Sequence, residues 1–165
     1  MDKRYMDKLV ANSACTEARE WAATQETPAK AWASCERGDW MLWWCGKLSG
    51  ASEGKGRKLL VLAACDCARL SLKYVKAGEE RPLKAIETAE RWAHGKATIA
   101  EVCAAAYAAY ADDAAAAAAA AAAAYAAVAA DAAAASADAV RKEVLAQCAD
   151  IVRKHYPKPP MKEAK

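Results

Sequence analysis

Apolar positions recur at spacings of three and four along most of the chain, which is the period of an amphipathic helix and not of a strand. Tyr5, Met6, Leu9 and Val10 share one such face, and Cys15, Ala18, Trp21 and Ala22 share the next, so two short helices are expected at the start. Thr27-Pro28 has the form of a capping residue followed by proline at the first helical position, leading into a helix over 29–36 that Gly38 ends. Asp39 is placed to cap the following helix, Trp40–Leu48, which is apolar nearly all round and must be buried or docked. The stretch Gly46–Lys58, with Ser49, Gly50, Ser52, Gly54 and Gly56, reads as a flexible loop.

From Lys58 to Lys76 the polar residues Lys58, Asp66, Arg69, Lys73 and Lys76 form one narrow stripe on an apolar helix. This is predicted to be the central helix, with Leu62 buried and with Asp66 and Arg69, three apart, joined as an ion pair. Gly78 to Pro82 breaks it, and a further helix starts at Pro82, turns Ile86, Ala89, Trp92 and Ala93 inward, and stops at Gly95. Thr98 and Glu101 then have the spacing of a capping box.

In the alanine-rich segment Tyr107 eclipses Tyr125, and Tyr110 eclipses Val128, at about 100° per residue, while Asp112, Asp113, Asp131 and Asp138 fall on the other side. An unbroken helix from Thr98 to Tyr156 would be about 88 Å long, so it must break or project. Val140, Val144, Leu145, Cys148, Ile151 and Val152 repeat helically before Pro157, Pro159 and Pro160 end the pattern. The expectation is an all-α, single-domain bundle of about six to eight helices over residues 1–156, with a long alanine-rich helix, followed by a disordered basic tail over 157–165.

Composition agrees with helix: glycine and proline number 7 and 5 among 165 residues, and phenylalanine is absent. The net charge of +3 is too balanced to imply a phosphate-binding surface, so nucleic acid is not an expected direct partner. Its distribution is uneven, because residues 97–140 carry five acids and no base. Seven cysteines, an odd number without framework spacing, read with the charged start of the chain as reduced thiols of a cytoplasmic protein. The run Ala114–Ala124 is flanked by acids and only weakly apolar, so a membrane span is not expected.

No residue set has the form of a catalytic, metal or cofactor site. Cys65 and Cys67 lie two apart on a helix, about 200° around it from each other, and cannot chelate one ion. His94 and His155 stand near helix ends, where they favour the dipole. The Gly54-Lys55-Gly56-Arg57-Lys58 stretch lacks the spacing of a phosphate-binding loop. Trp40, Trp43 and Trp44 spread over much of one helix circumference, so they are expected mainly to pack in the core, with the alternative that one reaches the surface to serve an interface. The chain is therefore read as a non-enzymatic binding protein with no cofactor.

The segments Ala31-Trp32-Ala33-Ser34-Cys35-Glu36-Arg37-Gly38-Asp39-Trp40-Met41-Leu42-Trp43, Leu62-Ala63-Ala64-Cys65-Asp66-Cys67-Ala68-Arg69-Leu70, Glu80-Arg81-Pro82 and Ala85-Ile86-Glu87-Thr88-Ala89-Glu90-Arg91-Trp92-Ala93 occur together with Cys148-Ala149-Asp150-Ile151-Val152-Arg153. In that order they resemble an immunity-protein family, the fifth-immunity-like group of bacterial and phage genomes, over about Trp21 to Tyr156. The resemblance implies a small helical inhibitor that neutralises a partner protein, a toxin or a defence effector, as an immunity or phage counter-defence factor. Asp39, Trp40, Trp43, Arg69 and Arg81 are the candidate binding residues, with Asp112, Asp113, Asp131 and Asp138 as an acidic face that either keeps the alanine-rich helix solvated or steers a basic partner. The alternative is a small-molecule or nucleotide-signal sponge, its pocket formed by Trp40, Arg69 and Arg81. A homo-oligomer is a further open alternative.

Overall fold

A computed structural model describes residues 2–109 and 137–161, without the side chains of residues 137 and 138. Among these residues the chain is all helical: α1 (Lys3–Ala11), α2 (Thr16–Ala23), α3 (Pro28–Ser34), α4 (Gly38–Leu48), α5 (Lys55–Arg69), a single 3-10 turn (Leu72–Tyr74), α6 (Arg81–Ala93), α7 (Ile99–Ala109) and α8 (Ala137–His155). Several boundaries follow the local signals. The Thr27 hydroxyl accepts from the Lys30 N–H at 3.1 Å with Pro28 opening α3. Thr98 and Glu101 exchange the two bonds of a capping box, 3.2 Å and 2.7 Å, ahead of α7. Gly95, at φ +74°, closes α6 as its N–H reaches the Trp92 carbonyl and the Lys96 N–H the Arg91 carbonyl.

Other boundaries differ from expectation. Gly38 does not end α3 but begins α4, and Asp39 is not its cap: Arg37 holds the cap position and no side chain caps the helix. The glycine-rich stretch is not a loop throughout, because α4 runs to Leu48 and α5 already starts at Lys55. The central helix ends at Arg69, earlier than the apolar stripe suggests. Residues 157–161 of the expected tail are described, and the Pro160 carbonyl accepts the Trp44 indole N–H at 3.2 Å.

α5 is the wall of the fold. Its Leu60, Ala63, Ala64 and Cys67 face one buried cluster, with residues from α1 to α4 and from α8, and its Val61, Cys65 and Ala68 face a second, with α6 and α7. Cys65 and Cys67 thus point to opposite sides, as their spacing requires: the Cys65 thiol donates to the Ile86 carbonyl at 3.7 Å, and that of Cys67 to the Cys148 carbonyl at 3.8 Å. Leu62, expected at the centre, is half-buried against the second cluster.

α8 is fastened to the first cluster by polar contacts as well as packing. Arg153 donates to the Trp32 and Cys35 carbonyls at 3.1 and 2.8 Å, satisfying oxygens that α3 leaves free at its end. The Trp32 indole N–H donates back to the Tyr156 carbonyl at 2.8 Å. At Gly38 the two helices approach so closely that a Cβ would stand 2.4 Å from Cys148 Cβ and 2.7 Å from the Ala149 nitrogen.

Two measurements check this packing. Gly38→Ala should lose about 1–3 kcal/mol of unfolding free energy in urea, because backbone must give way. Gly46→Ala, whose added Cβ would meet only Leu60 at 3.7 Å, should instead be neutral or gain up to about 1 kcal/mol from the lower freedom of the unfolded chain. Burial also pushes the Tyr5 hydroxyl and the Cys45 and Cys65 thiols up to about 12. Their folded values exceed the unfolded ones, so the folded state retains protons that the unfolded state has released. Stability should therefore be full below the ordinary thiol value near pH 9 and fall steadily as pH rises towards 12, read as a declining urea midpoint.

Candidate functional site

The first cluster is open on one side, and the opening is built mainly by α4. Because α4 is apolar nearly all round, it meets neighbours on most faces, and its aromatic residues are shared out among them. Trp44 is buried, edge-on to Tyr5 of α1 with ring centroids 5.6 Å apart. Trp40 and Trp43 are half-buried. Trp40 meets Trp21 of α2 at 5.9 Å, and Trp43 lies beneath the Lys47 ammonium at 5.5 Å.

Arg37 organises the mouth of the opening. Its guanidinium forks onto Asp39 with bonds of 2.9 and 2.7 Å and reaches Glu17 of α2 at 3.2 Å. It also lies 4.2 Å above the Trp40 ring. The hydrogen bond to Asp39 raises the Arg37 pKa, the direction expected of a cation held by two carboxylates. Asp39 therefore acts through Arg37, fixing it on Trp40 and joining the start of α4 to α2.

Behind this mouth lies a cavity of about 720 Å³. Leu60, Ala64 and Cys67 of α5 and Val144, Leu145 and Cys148 of α8 contribute walls, while Tyr5, Leu9, Trp21, Trp40, Trp43 and Trp44 supply much of the rest. Charged residues on its lining are Glu17, Arg37, Asp39, Lys47, Arg57 and Arg141. Burial pushes the Cys35 thiol up, and its hydrogen bond with Cys148 together with burial does the same for Cys67. Both therefore remain protonated near neutral pH and behave as small apolar groups. The arrangement can hold an apolar body through ring faces and edges and orient a polar group at its rim.

The expected site residues divide between this cavity and places elsewhere. Asp39, Trp40 and Trp43 line the cavity. Arg69 and Arg81 do not: Arg69 forks onto Glu90 of α6 at 2.9 and 2.7 Å, and Arg81 bonds Glu79 at 2.8 Å. The pocket of Trp40, Arg69 and Arg81 is thus not assembled. Nor do Asp66 and Arg69 pair with each other, since Asp66 reaches His155 of α8 at 2.7 Å. His94 closes α6 by a 2.8 Å bond to the Glu90 carbonyl. Asp112, Asp113 and Asp131, and the side chain of Asp138, lie outside the described residues. Arg37, Lys47, Arg57 and Trp21 are the cavity residues that sequence reasoning did not single out. The signal is weak for Trp21 and Arg37 because their contacts with Trp40 and Glu17 arise only where α2 meets α4.

The Arg37 cluster yields a direct test. Asp39 is 30% exposed and Glu17 is 71% exposed, so the two carboxylates should couple unequally to the same arginine. Double-mutant cycles in urea with Arg37→Met should give about 1–2 kcal/mol of coupling for Asp39→Asn and about 0–0.5 kcal/mol for Glu17→Gln. Equal coupling would contradict the assigned geometry. No protein-family model matches the chain, no curated protein matches it in sequence, and no solved structure matches it.

Proposed function

We propose that this protein is a non-catalytic binding protein of the inhibitor type, an immunity or phage counter-defence factor that neutralises a partner protein. The observation carrying this reading is the half-buried Trp21–Trp40 pair beneath an arginine clamped by Asp39 and Glu17 at the mouth of an apolar cavity. Tryptophan and arginine are the residues that most often anchor protein interfaces, because they offer large contact area with a polar handle. An arginine already held in place loses little further freedom on binding, so its contacts convert efficiently into affinity. The resemblance over Trp21 to Tyr156 supports the inhibitor class. The acids of residues 97–140 supply charge for attracting a basic partner.

A second reading, a sink for a small molecule, is favoured by one specific observation. The cavity volume of about 720 Å³ lies inside the range of about 300–1,000 Å³ common for small-molecule sites. Among the described residues no helix is long and apolar enough to cross a membrane.

Affinity capture from the native host, followed by titration calorimetry with the recovered partner, tests the first reading. Trp40→Ala and Arg37→Ala should each weaken binding by about 30-fold or more, the size of an interface anchor, whereas Arg69→Ala and Arg81→Ala should change it by less than about threefold. A partner that binds all four variants equally would remove the α2–α4 face from recognition.

A further inference from the structure

The end of the cavity away from Arg37 has its own chemistry. There α4 finishes and α5 begins, and the turn between them is tight: a Cβ on Gly56 would stand 2.6 Å from the Ser49 carbonyl oxygen. This closeness puts Lys47, in the last turn of α4, and Arg57, in the first turn of α5, on the same end, and both line the cavity. Arg37 is neutralised by two carboxylates, but neither Lys47 nor Arg57 is ion-paired within the described residues. Lys47 is exposed and lies over the Trp43 ring, and Arg57 is half-buried. Immediately inward the lining turns apolar, with Leu60 one helical turn beyond Arg57 and the half-buried Trp43 and Trp40 of α4 beside it.

Two cations without an ion-pair partner among the described residues, at the end of an apolar cavity, are complementary to a molecule with one anionic head and an apolar body. We propose that the cavity binds an amphipathic carboxylate, its head between Lys47 and Arg57 and its apolar chain against Leu60 and the half-buried rings of Trp43 and Trp40. The proposal rests on the second reading above, the small-molecule sink, and not on the protein-partner reading. A planar guanidinium and a mobile ammonium together suit a carboxylate, one by a forked pair of bonds and the other as a point charge. Neutral ligands of the same shape would keep the apolar contacts and lose this pairing.

The test uses the full chain and two probes with the same tail, dodecanoate and dodecanol, each below its aggregation limit, followed by tryptophan fluorescence. Dodecanoate should bind about tenfold or more tightly than dodecanol, the margin of a charge-assisted pair. In the Lys47→Gln/Arg57→Gln double variant, shown folded by circular dichroism, that margin should vanish while dodecanol affinity stays unchanged. Equal affinity for acid and alcohol in the unmodified chain, or a margin that survives the double substitution, overturns the carboxylate proposal and leaves a cavity that selects on shape. Binding of neither probe overturns the carboxylate proposal, and the small-molecule reading falls separately if a nucleotide panel also leaves the thermal unfolding midpoint unshifted.

Discussion

The fold depends on α5, which packs directly on α4, α6 and α8 and separates the two buried clusters. A helix buried on two faces must approach neighbours closely on both, and the chain meets that requirement with small side chains: Ala63, Cys65, Cys67 and Ala68 are each 0% exposed. Larger residues there would push the flanking layers apart. The cysteines serve in this setting as compact apolar groups, which is why two of them can stand two positions apart without forming a site. The wall divides the molecule into unlike halves. On the α6–α7 side, Ile86, Ala89, Trp92 and Val102 close on it, and Arg69–Glu90 bridges the edge. On the other side, α4 packs on α5 and α8, and Trp21, Trp40 and Trp43 are left half-buried around the cavity.

That open half is held from behind by α8. Arg153, Trp32 and the Asp66–His155 contact join α8 to α3 and α5, and the glycine at position 38 lets α4 lie directly upon it. By contrast, the α1–α2 pair is attached to α4 through ring contacts at Tyr5–Trp44 and Trp21–Trp40 and through Glu17. A firm back and a front held by aromatic contacts are suited to receiving an occupant between α1–α2 and α5 without disturbing the core.

Local chemistry was readable from the sequence wherever a few neighbouring residues decide the outcome. The Thr27-Pro28 start, the Thr98–Glu101 box, the inner face of α6 and the opposed thiols of Cys65 and Cys67 are of this kind. Ion pairs were not readable in the same way. Spacing of three makes Asp66 and Arg69 neighbours on α5, but α8 offers His155 to one and α6 offers Glu90 to the other, and both partners lie far away in sequence. The same reason separates Arg69 and Arg81 from Trp40. Gly38 looked like a stop signal because glycine usually ends helices, whereas here it begins one where no Cβ fits. Asp39 and Trp40 were legible as candidates by residue type, but Arg37 between them and α2 was not, since its role depends on how α2 crosses α4.

The proposed recognition surface is the open, aromatic side of α5 and not the α6–α7 side. Hydrogen–deuterium exchange on the full chain, with and without a captured partner or a bound amphipathic ligand, measures this directly because amides slow where binding orders or covers the backbone. The account predicts added protection in α1, α2 and α4 and in the first turns of α5, with α6 and α7 unchanged. Protection concentrated in α6 and α7, with α2 and α4 unaffected, would contradict it.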